Sequence, residues 1–398
     1  MTSDLKIEYV ANRFVRVAAN RQFDASRFSP SAADVARGFH RRLVGYKPTP
    51  LVRLRALARS LGITALWVKD ESHRFGLDAF KVLGASYAIG KFIAQKLEVS
   101  IEEVSFDSLR SLKLKRDFGE LTFVTATDGN HGRAVAWAAR ELGQRAVVYL
   151  PQGASAARVA NIRSLGADAS VTTGSYDESV EHAANMAEKH NWILLQDTAW
   201  PGYEEIPMWV MQGYLTMFAE AVEQLQGEKP THVFIQAGVG SLAGALHGYL
   251  KEHYGEDCPL LYVVEPTNAA CFFASAKTDD GLARTIPGDL DTIMVGLAAG
   301  RPSSLAWPIL RDHSDGFFTC SDAVAATGMR VLAKPVAGDP RITSGEAGAV
   351  TAGLVTCLSN QPELRTIAGE IHKDSNSKIL LFSTEGATDP DMYQRIVG

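Results

Sequence analysis

The chain has 398 residues, of which 46% are hydrophobic and 21% charged, with a formal net charge of −5. Such a length buries a large core and divides most simply into two lobes, and the composition is that of an ordinary soluble globular protein. No basic excess offers a surface to nucleic acid, no run of about eighteen apolar residues offers a membrane span, and the N-terminus lacks a secretory apolar stretch, so a cytoplasmic enzyme is expected. Cys258, Cys271, Cys320 and Cys357 lie far apart without a Cys-x-x-Cys pair, which reads as buried thiols rather than disulfides or a zinc or other metal site.

Residues 1 to 65 hold no clear repeat, but Tyr46-Lys-Pro-Thr-Pro-Leu-Val-Arg-Leu breaks any helix with two prolines and leads into an extended segment. Leu66 to Ser72 reads as a strand, and Val82 to Ala94 has the apolar spacing of a helix. Between Lys96 and Glu120 the chain turns charged, with Ser100-Ile-Glu-Glu103 as a capping box for an inserted surface helix.

A regular alternation follows. Leu121 to Thr125, Ala146 to Leu150, Ala169 to Thr172 and Trp192 to Leu195 are predicted strands. Arg133 to Leu142, Ala156 to Leu165 and Tyr176 to His190 are the helices between them. After a long helix from Tyr203 to Leu225 come the strand His232 to Gln236, the helix Leu242 to His253, the strand Leu260 to Val264 and a last strand, Lys378 to Phe382. A helix after Ser344 carries Gly348 and Gly353, which leaves its extent open. This βαβ order predicts an α/β protein of two open, twisted, parallel-sheet lobes with a cleft between them, ligands sitting beyond the carboxyl ends of the strands.

Lys81 stands out because it opens a helix, where the dipole and the apolar Phe80 and Leu83 both disfavour an ammonium ion; a lysine that is partly neutral can capture an aldehyde. A snorkelling surface lysine is the plainer reading of that residue alone. Four other stretches follow predicted strands. Thr125 to Gly132 contains Thr127, Asp128 and Asn130, and the Asn130 amide can donate to a phenolate oxygen. Gln236 to Gly244 is a glycine-rich turn into a helix, in which the N–H groups of Gly238, Val239, Gly240, Ser241 and Leu242 can converge on a phosphate. Structural glycines or a dinucleotide turn would also explain it, although Ala243 stands where the dinucleotide pattern has its third glycine. Ser383 and Thr384 end the last strand and either face a heterocyclic nitrogen or simply make a turn. Asp197, in Gln196-Asp-Thr-Ala-Trp200, is an acid for the site or a helix cap.

Together these stretches resemble the fold-type II pyridoxal phosphate enzymes, the group of threonine dehydratase, serine racemase and the tryptophan synthase β subunit. The resemblance runs from about Thr49 onward and includes Thr292 to Ala298, around Gly296, and Thr343 to Gly348, around Glu346. It implies pyridoxal 5′-phosphate as cofactor, joined to Lys81, with Asn130 at its 3′ oxygen and residues 238 to 242 on its phosphate. Ser383 or Thr384 would meet the pyridine nitrogen, while Gly296 and Glu346 would fall within the cofactor-binding set. It places the large domain at residues 1–86 and 202–398 and the small one at 87–201.

Phe75-Gly-Leu-Asp-Ala-Phe-Lys81, Thr127-Asp-Gly-Asn-His-Gly-Arg133 and Gln196 to Trp200 are similar to the diaminopropionate ammonia-lyase family. That likeness implies elimination of ammonia from 2,3-diaminopropionate, L- and D-isomers both, giving pyruvate and two ammonia. A β-amine departs only if it stays protonated, and Asp128 and Asp197 would supply the negative charge that favours this. Lys81, Asp128 and Asp197 are the expected catalytic residues, with Asp128 the base for the D-isomer and Thr127 beside them in the substrate site. A serine or threonine dehydratase or racemase on the same scaffold, a nicotinamide-dependent dehydrogenase, and an inert pyridoxal carrier are the competing readings. The expected partner is a small amino acid, with no nucleic acid or membrane, and the family habit is a homodimer. Trp209, Met211 and Met217 would serve either a core or that interface.

Overall fold

The structure is a computed structural model that describes residues 5–15, 25–104, 106–127, 129–278 and 280–398. Backbone contacts divide the chain into two units. One comprises Met1–Pro30, Pro48–Ala79 and Met217–Gly398, the other Ser31–Lys47 and Phe80–Thr216.

Among the described residues the larger unit is built on a seven-stranded sheet and the smaller on a four-stranded one. In chain order the strands are β1 (Ile7–Ala11), β2 (Leu51–Arg53), β3 (Ala65–Asp70), β4 (Thr122–Ala126), β5 (Arg145–Leu150), β6 (Asp168–Val171), β7 (Ile193–Leu194), β8 (His232–Gln236), β9 (Leu260–Pro266), β10 (Gly316–Cys320) and β11 (Lys378–Ser383). The large sheet runs β1-β10-β9-β8-β11-β3-β2 and the small one β6-β5-β4-β7. The small sheet is parallel throughout. In the large sheet the five inner strands are parallel, as expected, and only at its two edges do β1 and β2 run antiparallel to β10 and β3. β3, β8 and β10 are buried at every residue, as strands covered on both faces must be.

Most predicted elements are present, with instructive departures. The strand from Leu66 stops at Asp70, because the Asp70 carboxylate accepts from Ser72 N at 3.1 Å and turns Glu71–His73 into a 3-10 helix. Ser100 to Glu103 is a turn, in which Ser100 Oγ accepts from Glu102 N, and it is followed by short helices at Phe106–Leu109 and Leu112–Phe118. A reciprocal capping box occurs instead at Ser175 and Glu178, ahead of the helix Tyr176–His190. The sequence reading missed β1, β10 and several helices, among them Pro30–Arg41, Ala306–His313, Asp322–Ala333 and Pro390–Val397.

The helix after Ser344 runs from Glu346 to Asn360 despite its glycines. They are there for packing: a Cβ on Gly353 would collide with the Val324 carbonyl, and one on Gly328 with the Ala349 carbonyl, so this helix and Asp322–Ala333 meet backbone to backbone. Trp209, Met211 and Met217 are buried within the protomer and belong to its core.

Candidate active site

In the smaller unit, Lys81 is the N-cap of the helix Val82–Lys96, whose first nine residues are all buried. A stripe this uniformly apolar belongs to an interior helix, and it is fixed by close neighbours. A Cβ on Gly84 would lie 2.6 Å from the Tyr214 ring, and Phe80 packs on that ring with centroids 4.8 Å apart. His40 Nε2 bonds the Leu83 carbonyl at 3.0 Å, and His40 Nδ1 meets the Thr216 hydroxyl at 2.7 Å. The lysine therefore stands on a rigid base with its side chain 18% exposed.

Lys81 Nζ is ion-paired with Asp197 Oδ2. Asp197 does not cap a helix: it sits in the loop after β7, eight residues before the helix Glu205–Gln224 begins. That loop is shaped by Tyr203, whose hydroxyl donates to the Leu194 carbonyl and accepts from Gln196 N, each at 2.9 Å, and by Thr125, whose hydroxyl donates to Gln196 Oε1 at 2.6 Å. Burial pushes the Asp197 carboxyl up, but the Lys81 ammonium and His131 outweigh it and hold the group down at about 2. Asp197 is thus a buried carboxylate, not a carboxylic acid.

Thr127 ties down the start of the next helix, its buried hydroxyl oxygen accepting from Gly129 N at 2.9 Å and Gly132 N at 3.0 Å. Asn130 is the first residue of the helix Asn130–Glu141. His131 follows, buried, with Nε2 at 2.9 Å from the Leu195 carbonyl and Nδ1 at 3.9 Å from Asp197 Oδ2. Burial lowers its pKa, against the pull of Asp197. Asp128 lies outside the described residues.

In the larger unit, Gly238 to Gly240 turn between β8 and the helix Ser241–Tyr254, so the amides of Gly238, Val239, Gly240, Ser241 and Leu242 gather at a helix N-terminus. Gly240 adopts φ +92°, and any Cβ there would strike the Phe272 ring. A Cβ on Gly238 would meet Leu297 Cα at 3.0 Å and the Gly296 carbonyl at 3.2 Å, which places Gly296 directly against this loop. At the end of β11, the Ser383 hydroxyl donates to Ser344 Oγ at 2.7 Å, while Thr384 Oγ1 accepts from Gln236 Nε2 at 2.7 Å. Glu346 is buried at the start of its helix. Ala347 N, next to it, donates to Glu385 Oε1 at 3.0 Å, tying that helix to the tail of β11.

The approach to Lys81 also belongs to the larger unit as far as Ala79. It is anchored by an ionic cluster that sequence reasoning did not find. Lys69 Nζ donates to Glu220 Oε2 at 2.8 Å, Thr49 O at 2.7 Å and Gln224 Oε1 at 2.9 Å. Arg74 reaches Glu71 at 2.8 Å and Glu220 at 2.7 Å, all four charged side chains having no exposure. Beyond it, Phe75 and Asp78 take left-handed conformations at φ 50° and 54°, and Asp78 O accepts from Gly386 N at 2.8 Å. Glu71 and Arg74 are three residues apart, but Glu220, which joins them to Lys69, lies more than 140 residues away, where no local spacing reveals it.

A model of the pyridoxal-phosphate-dependent enzyme family matches residues 43–367. The chain is 48% identical over 363 residues to the diaminopropionate ammonia-lyase of Salmonella typhimurium, covering 90% of each. It is 45% identical over 389 residues to that of Escherichia coli, covering 96% of each. The crystal structure of the Escherichia coli enzyme in complex with an aminoacrylate-PLP azomethine reaction intermediate matches with a TM-score of 0.90 at 43% identity, over 99% of this chain and 97% of that one.

Proposed function

We infer the activity from one premise: the chain belongs to the pyridoxal-phosphate-dependent enzymes and, among them, to the diaminopropionate ammonia-lyase family. The reaction is the α,β-elimination of 2,3-diaminopropionate, which with one water gives pyruvate and two ammonia. The observation that carries this reading is the amine of Lys81 held against the buried carboxylate of Asp197.

The residues present fit the cofactor. The turn at Gly238 to Gly240 leads into the N-terminal amides of the helix Ser241–Tyr254, as a phosphate requires, and its two glycines pack too closely on Leu297 and Phe272 to carry side chains. Lys81 would hold the aldehyde carbon, Asn130 the 3′ oxygen, and the amides of residues 238 to 242 the phosphate, with Gly296 and Glu346 lining the same set. Of the two hydroxyls after β11, that of Thr384 accepts from Gln236 and keeps its proton to donate, which suits an unprotonated pyridine nitrogen better than Ser383, whose proton goes to Ser344. When bound, the cofactor supplies an electron sink for the pair left at Cα.

The protein's own groups do the rest. Lys81 Nζ removes the Cα proton of the L-isomer, and Asp128 removes that of the D-isomer. Asp197, ionised at any physiological pH, keeps the β-amine protonated so that it leaves as neutral ammonia. Thr127 lines the substrate side. The released enamine takes up water to yield pyruvate and the second ammonia. Cytoplasmic residence and a homodimer complete the reading; among the described residues no helix is long and apolar enough to cross a membrane. Because Trp209, Met211 and Met217 are core residues, the dimer rests on family habit.

The test is a product assay on purified protein with pyridoxal 5′-phosphate and, in turn, L- and D-diaminopropionate, serine and threonine. Both diaminopropionate isomers are expected to give pyruvate and ammonia faster than the hydroxy amino acids, and Lys81→Ala to lower the rate by roughly a thousandfold or more. Preference for serine or threonine would overturn the reading.

A further inference from the structure

Lys81 must shed a proton before its amine can attack an aldehyde. The carboxylate that Lys81 meets and the ring behind it are nearly closed to water, Asp197 being 5% exposed and His131 3%. His131 Nδ1 lies 3.9 Å from the same Oδ2 that Lys81 meets. Its Nε2 faces the Leu195 carbonyl, so the neutral ring carries its proton on Nε2 and Nδ1 is an acceptor. Among the described residues that buried Nδ1 has no hydrogen-bond partner. A buried acceptor left unmatched calls for an explanation.

We propose that His131 Nδ1 stores a proton of Lys81: when Nζ forms its C=N bond to an aldehyde, the carbonyl oxygen leaves as water with two of the three ammonium protons, the third passes by Asp197 Oδ2 to Nδ1, and the imidazolium replaces the ammonium as counter-cation of Asp197. No electrons move, and the three groups together carry the same charge before and after. The charged groups facing the ring are Asp197, which favours the imidazolium, and Lys81, which opposes it, as does burial. Taking the charge off Lys81 removes one opponent and leaves the carboxylate, which sets the direction of transfer. The gap from Nδ1 to Oδ2, 3.9 Å, exceeds a hydrogen bond by about an ångström, so the transfer requires the carboxylate to turn toward the ring. His131 acts through Asp197, as a positioning residue that keeps the buried carboxylate compensated while Lys81 is engaged.

The proposal rests on Lys81 being the cofactor lysine, and the experiment separates the two. Ring-nitrogen NMR of His131 at neutral pH is recorded on cofactor-free protein, on Lys81→Met, and on protein loaded with pyridoxal 5′-phosphate. A neutral ring is expected in the first and an imidazolium in the other two. A neutral ring in Lys81→Met overturns the proton store, whatever the loaded sample shows. Borohydride reduction and peptide mass analysis of the loaded sample test the lysine separately. In His131→Asn, which offers no titrating nitrogen, attachment of the cofactor should slow roughly ten- to a hundredfold at pH 7 and recover as the pH rises. A parental rate and pH profile overturns the proposal, and if that variant does not fold, the Lys81→Met spectrum decides.

Discussion

At Asp197, burial and charge act in opposite directions on one carboxyl, and charge wins. Its pKa falls from 3.8 to about 2, so the pairing contributes about 2 kcal/mol of stability. A depressed carboxylate pKa places that contribution fully above the unfolded value and removes it as the pH drops through the folded one. Thermal unfolding followed from pH 5 to pH 2 should therefore steepen below about 4, and Asp197→Asn should flatten that segment relative to the parent. An unchanged difference between the two proteins across the window would deny the pairing. Lys81, Asp197 and Asn130 were legible in the sequence as candidates because each follows a predicted strand or opens a helix. Their partners were not. The Lys81 and Asp197 positions are 116 residues apart, and which nitrogen of His131 carries the proton depends on a carbonyl, Leu195, that no pattern marks. The lone-lysine reading weighed only the helix end and the apolar neighbours, and the structure adds a carboxylate facing the amine.

Among the elements, legibility followed the size of the buried side chains. β4, β5 and β8 were found because continuous apolar runs announce them, while the helix Pro30–Arg41 buries Ala33 and Ala36 beside Phe39 and His40, small residues that leave a faint stripe. The helices Asp322–Ala333 and Glu346–Asn360 were obscured by glycines, since intrinsic propensity counts a helical glycine as a weakness. Their packing turns that weakness into a requirement. Gly353→Ala should destabilise the protein by about 3 kcal/mol or more, because the added carbon meets the Val324 carbonyl rather than a flexible side chain. Gly38→Ala, in a helix where nothing lies within 4 Å, should stabilise by about 0.5–1 kcal/mol. Denaturant midpoints measured on the two variants check both signs, and equal effects would mean that the helix contact is looser than described.

For the whole molecule, a ligand held by the folded chain and not by the unfolded one must raise the melting temperature. At a hundredfold excess over its Kd, pyridoxal 5′-phosphate should add about 2.7 kcal/mol, read as a rise of several degrees in a thermal shift assay, and a smaller one in Lys81→Ala. No rise would contradict cofactor binding. The two-unit α/β architecture was readable from the alternation of strands and helices, whereas the antiparallel edges were not, because β1 and β2 are short and half-buried.

Strand order has a consequence for how the molecule is made. β11 is the latest of the seven strands to be synthesised, yet it lies inside the sheet, hydrogen-bonded to β8 on one side and β3 on the other. Until Lys378–Ser383 leaves the ribosome, those two neighbours present open edges, the kind of surface that other chains can add to. A nascent chain is thus kept sticky in its middle until β11 has emerged and seats itself between β3 and β8.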